Sequence, residues 1–190
     1  MREIESKNDL KKRQKKNQLI VGGILILIML GSTFGILVNS FGNSSAVENV
    51  KYNGYEFTYD NSYWKTTIGN YDFVFTYNPT QVDRIETTVN YLNDYANFPV
   101  YISSEDYISE NEIYQNLGDV VERFQGACLE EAGCNENWPI KDCSNNFIII
   151  KIANESKIYQ DENCVFIEGS EENLTKIVDE FLFWTTGIEK

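Results

Sequence analysis

The sequence predicts an α+β domain of antiparallel and mixed sheet with two main amphipathic helices, stapled by disulfides and carried behind one transmembrane helix. Three observations predict it. Residues 19–38 form an apolar run with no charge. Beyond that run, period-two and helical patterns follow one another without the strict alternation of a doubly wound fold. All four cysteines lie on the far side of the run.

The front of the chain sets the topology. Residues 1–18 carry seven basic and three acidic side chains, a net +4, whereas the remaining 172 carry nine basic and 26 acidic, a net −17. Twenty helical residues rise about 30 Å, the thickness of a bilayer's hydrocarbon core. The basic cluster Lys11–Lys16 precedes the run directly, and Asn39, Ser40, Asn43, Ser44 and Ser45 follow it without basic charge. The positive-inside rule then puts residues 1–18 in the cytoplasm as a tail, 19–38 in the cell membrane as a single pass, and residues 39–190 outside. Ser44-Ser45-Ala46 resembles a signal-peptidase site, but the run exceeds the 7–15 residues of a signal core. Gly31 and Gly35 form a G-x-x-x-G that lets two such helices pack closely, so a homodimer through the membrane helix is expected beside the lipid bilayer itself.

Residues 39–49 read as a polar stalk and 50–190 as the outer domain. Tyr55–Tyr59 alternates aromatic and polar residues and reads as a strand. Trp64–Ile68 and Tyr71–Tyr77 flank the turn pair Gly69-Asn70 and read as a hairpin. Residues 80–95 place Val82, Ile85, Val89 and Leu92 at partly helical spacing, and Pro99–Ser103 is a short strand. A helix capped by Ser109 follows, with Ile113, Leu117, Val120, Val121, Phe124 and Cys128 on one side. Phe147–Ile152 is continuously apolar, as in a central strand covered on both faces. Ser156–Gln160 and Val165–Glu168 complete a three-strand unit, and a last helix capped by Ser170 buries Leu174, Ile177, Val178, Phe181 and Leu182.

Cys128, Cys134, Cys143 and Cys164 are even in number and lie on the extracytoplasmic side, where disulfides persist. Of three possible pairings, Cys128–Cys134 and Cys143–Cys164 is preferred. The first closes a small loop after a helix, and the second joins the starts of two strands that can lie side by side. The spacing fits neither a four-cysteine zinc site nor a Cys-x-x-Cys dithiol. Asn43, Asn154 and Asn173 head glycosylation sequons, and Pro79 disqualifies Asn78.

The absence of histidine removes Ser-His-Asp and Cys-His catalysis and histidine metal sites. The acidic balance argues against nucleic acid as a partner. No cofactor motif is present, so no cofactor and no metal is expected. Glu110/Glu112, Glu130/Glu131 and Asp161/Glu162 are the visible carboxylate pairs for a hydrolase, each more simply a helix start, a loop or a turn. Tyr52, Tyr55, Tyr59, Tyr63 and Trp64 crowd the first hairpin region, where packing on the core outweighs a binding face.

Cys128, Cys134 and Cys143 with Phe147-Ile-Ile-Ile150, then Tyr159-Gln-Asp-Glu-Asn-Cys164-Val-Phe-Ile-Glu-Gly169 and Phe181-Leu-Phe183, resemble uncharacterised single-pass membrane-anchored proteins of small-genome archaea. The resemblance covers mainly residues 120–188. It implies an archaeal envelope location and no particular activity. The resulting expectation is a non-enzymatic, membrane-tethered surface domain that binds a protein or envelope component. The alternatives are a carboxylate-dependent extracellular hydrolase and a membrane sensor with a cytoplasmic partner.

Overall fold

The computed structural model describes residues 11, 15–29, 48–130 and 134–190 and divides the chain into two units, Met1–Ala46 and Val47–Lys190. In the first unit residues 15–29 are helical (α1), with their apolar side chains exposed. Among the described residues no helix is long and apolar enough to cross a membrane. The second half of the expected span, with Gly31 and Gly35, lies outside the described residues, as does Asn43.

The second unit is α+β and holds two sheets. The first is an antiparallel meander of β1 (Asn49–Tyr52), β2 (Tyr55–Asp60), β3 (Tyr63–Ile68) and β4 (Tyr71–Phe75) in sequential order. After α2 (Leu92–Tyr95) come β5 (Pro99–Ser104), α3 (Tyr107–Leu117), β6 (Arg123–Gly126), β7 (Phe147–Ile152), β8 (Lys157–Asp161), β9 (Cys164–Gly169) and α4 (Leu174–Thr186). The second sheet has the order β6-β5-β7-β9-β8, parallel except for β8 against β9. β7 is its central strand. Ile148 and Ile150 join the main core, and Phe147 and Ile149 a second cluster on the opposite face, which explains the uninterrupted apolar run.

α3 and α4 form the layer between the sheets. One core joins Phe57, Phe73 and Phe75 of the meander to Phe181 and Phe183 of α4 and to Val100, Ile148 and Val165 of the mixed sheet. Phe183 meets Phe75 at 4.8 Å and Phe57 at 6.1 Å between ring centroids. Because α4 is covered from both sides it is buried nearly all round, including Asp179 and Glu180.

The edge of β4 is closed by side chains rather than by another strand. Asn116 of α3 accepts from Val74 N at 2.8 Å and donates to Val74 O at 2.7 Å, as a neighbouring strand would. Two residues on, Glu112 accepts from Thr76 N at 2.8 Å and Thr76 Oγ1 at 3.0 Å. Asp179 of α4 accepts from Tyr77 N at 2.8 Å. The three side chains take backbone groups on either side of Phe75, the last inward ring of β4, so helices and meander are bonded through backbone groups that would otherwise be buried unpaired.

Burial and the neighbouring Glu112 carboxylate push Asp179 well above the ordinary carboxylate range. Glu180 accepts from Ile85 N at 3.1 Å and Trp184 Nε1 at 2.9 Å, and burial raises it to about 7. The C-terminal end is tied to the meander. Gly187 turns the chain at φ +77°, Tyr52 Oη donates to Glu189 Oε1 at 2.5 Å, Asn53 Nδ2 donates to Ile188 O, and Arg84 reaches Glu189 Oε2 at 3.3 Å. That last contact is an ion pair without hydrogen-bond alignment. The bond to Glu189 raises the Tyr52 phenol to about 12.

Several elements differ from expectation. Asp106, not Ser109, caps α3: its carboxylate accepts from Ser109 N at 2.7 Å, and Ser109 is buried in the first turn. α3 stops at Leu117, so Val120 and Val121 lie in a turn and Phe124 in the unexpected strand β6. Ser170 precedes the turn to α4, whose N-cap is Asn173. Only Leu92–Tyr95 of residues 80–95 is helical, because Ile85 N and Asn90 N bond to Glu180 and Gln160 instead of to a helical ladder. β1 begins inside the expected stalk.

Two outcomes are expected for the full-length chain in detergent. Asn116→Ala, which strands Val74 N and O, lowers urea-unfolding stability by about 3 kcal/mol, and an unchanged midpoint contradicts the edge-closing role. Glu180 has a folded pKa above its unfolded value, so its contribution is complete at low pH and is lost as pH rises toward neutrality. Stability therefore falls by about 1 kcal/mol per pH unit between about pH 5 and 7, and this slope flattens in Glu180→Gln, measured as unfolding free energy against pH.

Candidate functional site

The mixed sheet changes direction of travel between β5 and β7. β5 runs through α3 to β6 on one side, whereas β7 continues through β8 to β9 on the other. The two are parallel neighbours, with Ser103 opposite Ile149 and Ser104 opposite Ile150. Diverging connections leave a crevice at the carboxyl ends of such a strand pair, the usual ligand position in open parallel sheets.

That crevice is present, with a volume of about 450 Å³, and is lined among others by Ser103, Glu105, Glu130, Asn135, Trp138 and Lys151. Its outer wall is the loop after β6. The Cys128–Cys134 disulfide closes the loop, Cys128 N donates to Pro139 O at 3.1 Å and Lys141 N to Cys128 O at 2.8 Å. Trp138 lies against the backbone of Gly126. A Cβ there would stand 2.7 Å from Cε2 and Cζ2 of the indole, so only glycine admits the ring so closely. The ring remains 39% exposed. On the inner side Glu105 accepts from Ile152 N at 2.9 Å through Oε2. Ser104 Oγ is occupied by the turn into α3, donating to Asp106 O at 2.7 Å.

The rim at this end of the sheet is apolar and open. Tyr107 is 79% exposed and Ile108 64%, both in the first turn of α3, and Ile152 at the end of β7 is 46% exposed. All three lie at the carboxyl end of β5 and β7, on the face that carries α3. A larger groove of about 930 Å³ crosses the outer face of the meander. Its charged groups are mutually engaged: Lys65 Nζ pairs with Asp60 at 2.6 Å, and Thr67 Oγ1 donates to Asp72 at 2.7 Å. It offers fewer free groups than the crevice.

The structure pairs Cys128 with Cys134 and Cys143 with Cys164, the pairing preferred from spacing. Cys143 and Cys164 stand at the entrances to the parallel neighbours β7 and β9, where Phe147 is opposite Cys164. The carboxylate pairs do not converge. Glu110 accepts from Tyr114 Oη at 2.8 Å, whereas Glu112 turns into the core, and burial with the Glu110 bond raises the Tyr114 phenol. Asp161 ends β8 opposite Cys164, and Glu162 opens the β8–β9 turn at φ +49°. Glu131 lies outside the described residues. Asn154 and Asn173 are exposed, and Asn78 is buried in a turn, accepting from Thr80 N at 2.8 Å. Of the aromatic group, Trp64 is buried and Tyr52 is bonded to Glu189. Among the described residues no group of three His, Cys, Asp or Glu is placed to hold a metal. The crevice residues Trp138 and Lys151 were not singled out from sequence, because their convergence depends on which strands become neighbours.

No protein-family model, curated protein or solved structure matches this chain.

The two bridges close loops of different length, which orders their effects. By chain entropy, removing Cys143–Cys164 costs about 3 kcal/mol and Cys128–Cys134 about 2 kcal/mol. Double serine variants of each pair, compared by thermal unfolding, are expected to fall in that order. Non-reducing peptide mapping that finds free thiols or other pairings contradicts the assignment.

Proposed function

We propose that this chain is a single-pass membrane protein whose acidic domain stands outside the cell and binds a protein or envelope component, without catalysing a reaction. The observation that carries the reading is the crevice at the carboxyl edge of the mixed sheet, bordered by the exposed Trp138, with Tyr107, Ile108 and Ile152 exposed at the same end of the sheet on its helix-covered face. Exposing such side chains to water is unfavourable, by about 25 cal/mol per Å² of apolar surface, and covering them is the gain a partner realises. The uncharged run 19–38 supports the tether, and the +4 tail before it with the −17 remainder after it supports the orientation. The disulfides and the exposed sequon residues Asn154 and Asn173 agree with an extracytoplasmic location, in an archaeal envelope if the resemblance holds. A contact between membrane helices through Gly31 and Gly35 belongs to the same proposal.

The test places a photoreactive benzoyl-phenylalanine at Tyr107 in one variant and at Tyr63, on the outer face of the meander, in another. Cells are irradiated intact and then treated with external protease. Adducts at Tyr107 but not Tyr63, with digestion of the outer domain in intact cells, are expected. Equal or absent adducts at both positions refute the binding face. A domain cleaved only after lysis refutes the topology.

A further inference from the structure

We propose that the crevice between β5 and β7 takes an uncharged carbohydrate, with Trp138 as its stacking platform. The inference rests on the reading of this edge as the binding face and names the class of ligand. A sugar ring has apolar C–H faces and a hydroxyl-bearing edge, so it needs a flat apolar surface beside mixed donors and acceptors. Trp138 supplies the surface. Its indole is braced against Gly126, borders the crevice and is 39% exposed. A braced aromatic ring gives contact area at little cost in conformational entropy.

The polar groups are of both kinds. Glu105 has one carboxylate oxygen committed to Ile152 N and the other left for a hydroxyl. Asn135 accepts from Asn137 N through Oδ1, which leaves its amide N–H groups to donate. Glu130 and Ser103 add acceptors and Lys151 a cationic donor. Two carboxylates against one ammonium leave a net charge of −1, which disfavours a phosphate, while the Lys151 ammonium disfavours a strong cation. A polyhydroxylated neutral ligand uses all of these groups at once. The volume of about 450 Å³ lies within the range of small-ligand sites. The Cys128–Cys134 bridge holds the wall, which limits the ordering cost of binding.

The full-length protein, labelled with 5-fluorotryptophan and held in phosphatidylcholine nanodiscs to avoid sugar-headed detergents, is titrated with chitohexaose, cellohexaose, maltohexaose and mannohexaose. The chain has three tryptophans, Trp64, Trp138 and Trp184, and Trp138→Phe identifies the Trp138 fluorine signal. The expected result is a saturable shift of that signal with at least one sugar while the other two stay in place. Trp138→Ala then weakens binding by calorimetry at least about tenfold, and Trp138→Phe weakens it less. Unmoved Trp64 and Trp184 signals in both variants show that the fold is intact. No saturable shift with any of the four sugars, or an affinity that survives Trp138→Ala, overturns the proposal. Failure here with the Tyr107 adduct retained overturns the carbohydrate assignment alone. Failure of both overturns the binding face.

Discussion

The second unit depends on how one sheet edge is satisfied. β4 ends the meander with backbone groups facing the protein interior, and among the described residues no fifth strand pairs with them. Asn116, Glu112 and Asp179 fill that role from two helices. Each bond adds only about 1 kcal/mol net, but leaving such a buried group unpaired costs more than the bond contributes. The edge therefore fixes where α3 and α4 lie against the meander, and through them where the mixed sheet lies. Hydrophobic contact between rings such as Phe75 and Phe183 supplies the larger stabilisation but is less directional.

That arrangement explains an acidic interior in an acidic protein. Glu112, Asp179, Glu180 and Glu189 are all buried, and Arg84 is the cation that pairs with one of them. Most of their oxygens serve as acceptors for backbone N–H, indole or phenol donors. Where two carboxyl groups meet, one keeps its proton, since two buried charges so close cannot both be solvated by the protein. The interior is thus held by hydrogen bonds from N–H and O–H donors to carboxyl oxygens more than by ion pairs.

The second face of the mixed sheet has a different economy. Among the described residues no helix covers it, and Leu129 and Cys143 of the disulfide-bonded segment after β6 pack there on Tyr101, Phe147 and Ile149. A loop covering is thinner than a helix layer and leaves an opening at the carboxyl ends of β5 and β7. Two packed layers hold the fold on one side of the sheet, while the other side is free to present Trp138 and Lys151.

The sequence by itself determined the local elements whose pattern is strong. β2 to β4 of the meander, β5, β7 to β9 and the buried stripe of α4 were legible because alternation, a turn pair such as Gly69-Asn70, or a continuous apolar run reflects burial directly. The separation of a basic tail from an acidic body across residues 19–38 is likewise a property of the sequence alone. Tertiary structure decided the rest. β6 was hidden because Phe124 fits helical spacing after Leu117, and only pairing with β5 makes Arg123–Gly126 a strand. Residues 80–91 lost their helix because backbone donors there found buried side-chain acceptors, a competition invisible to periodicity. The crevice was unreadable for the same reason: Ser103, Glu130, Trp138 and Lys151 are scattered along the chain, and only the parallel pairing of β5 with β7 brings them to one opening.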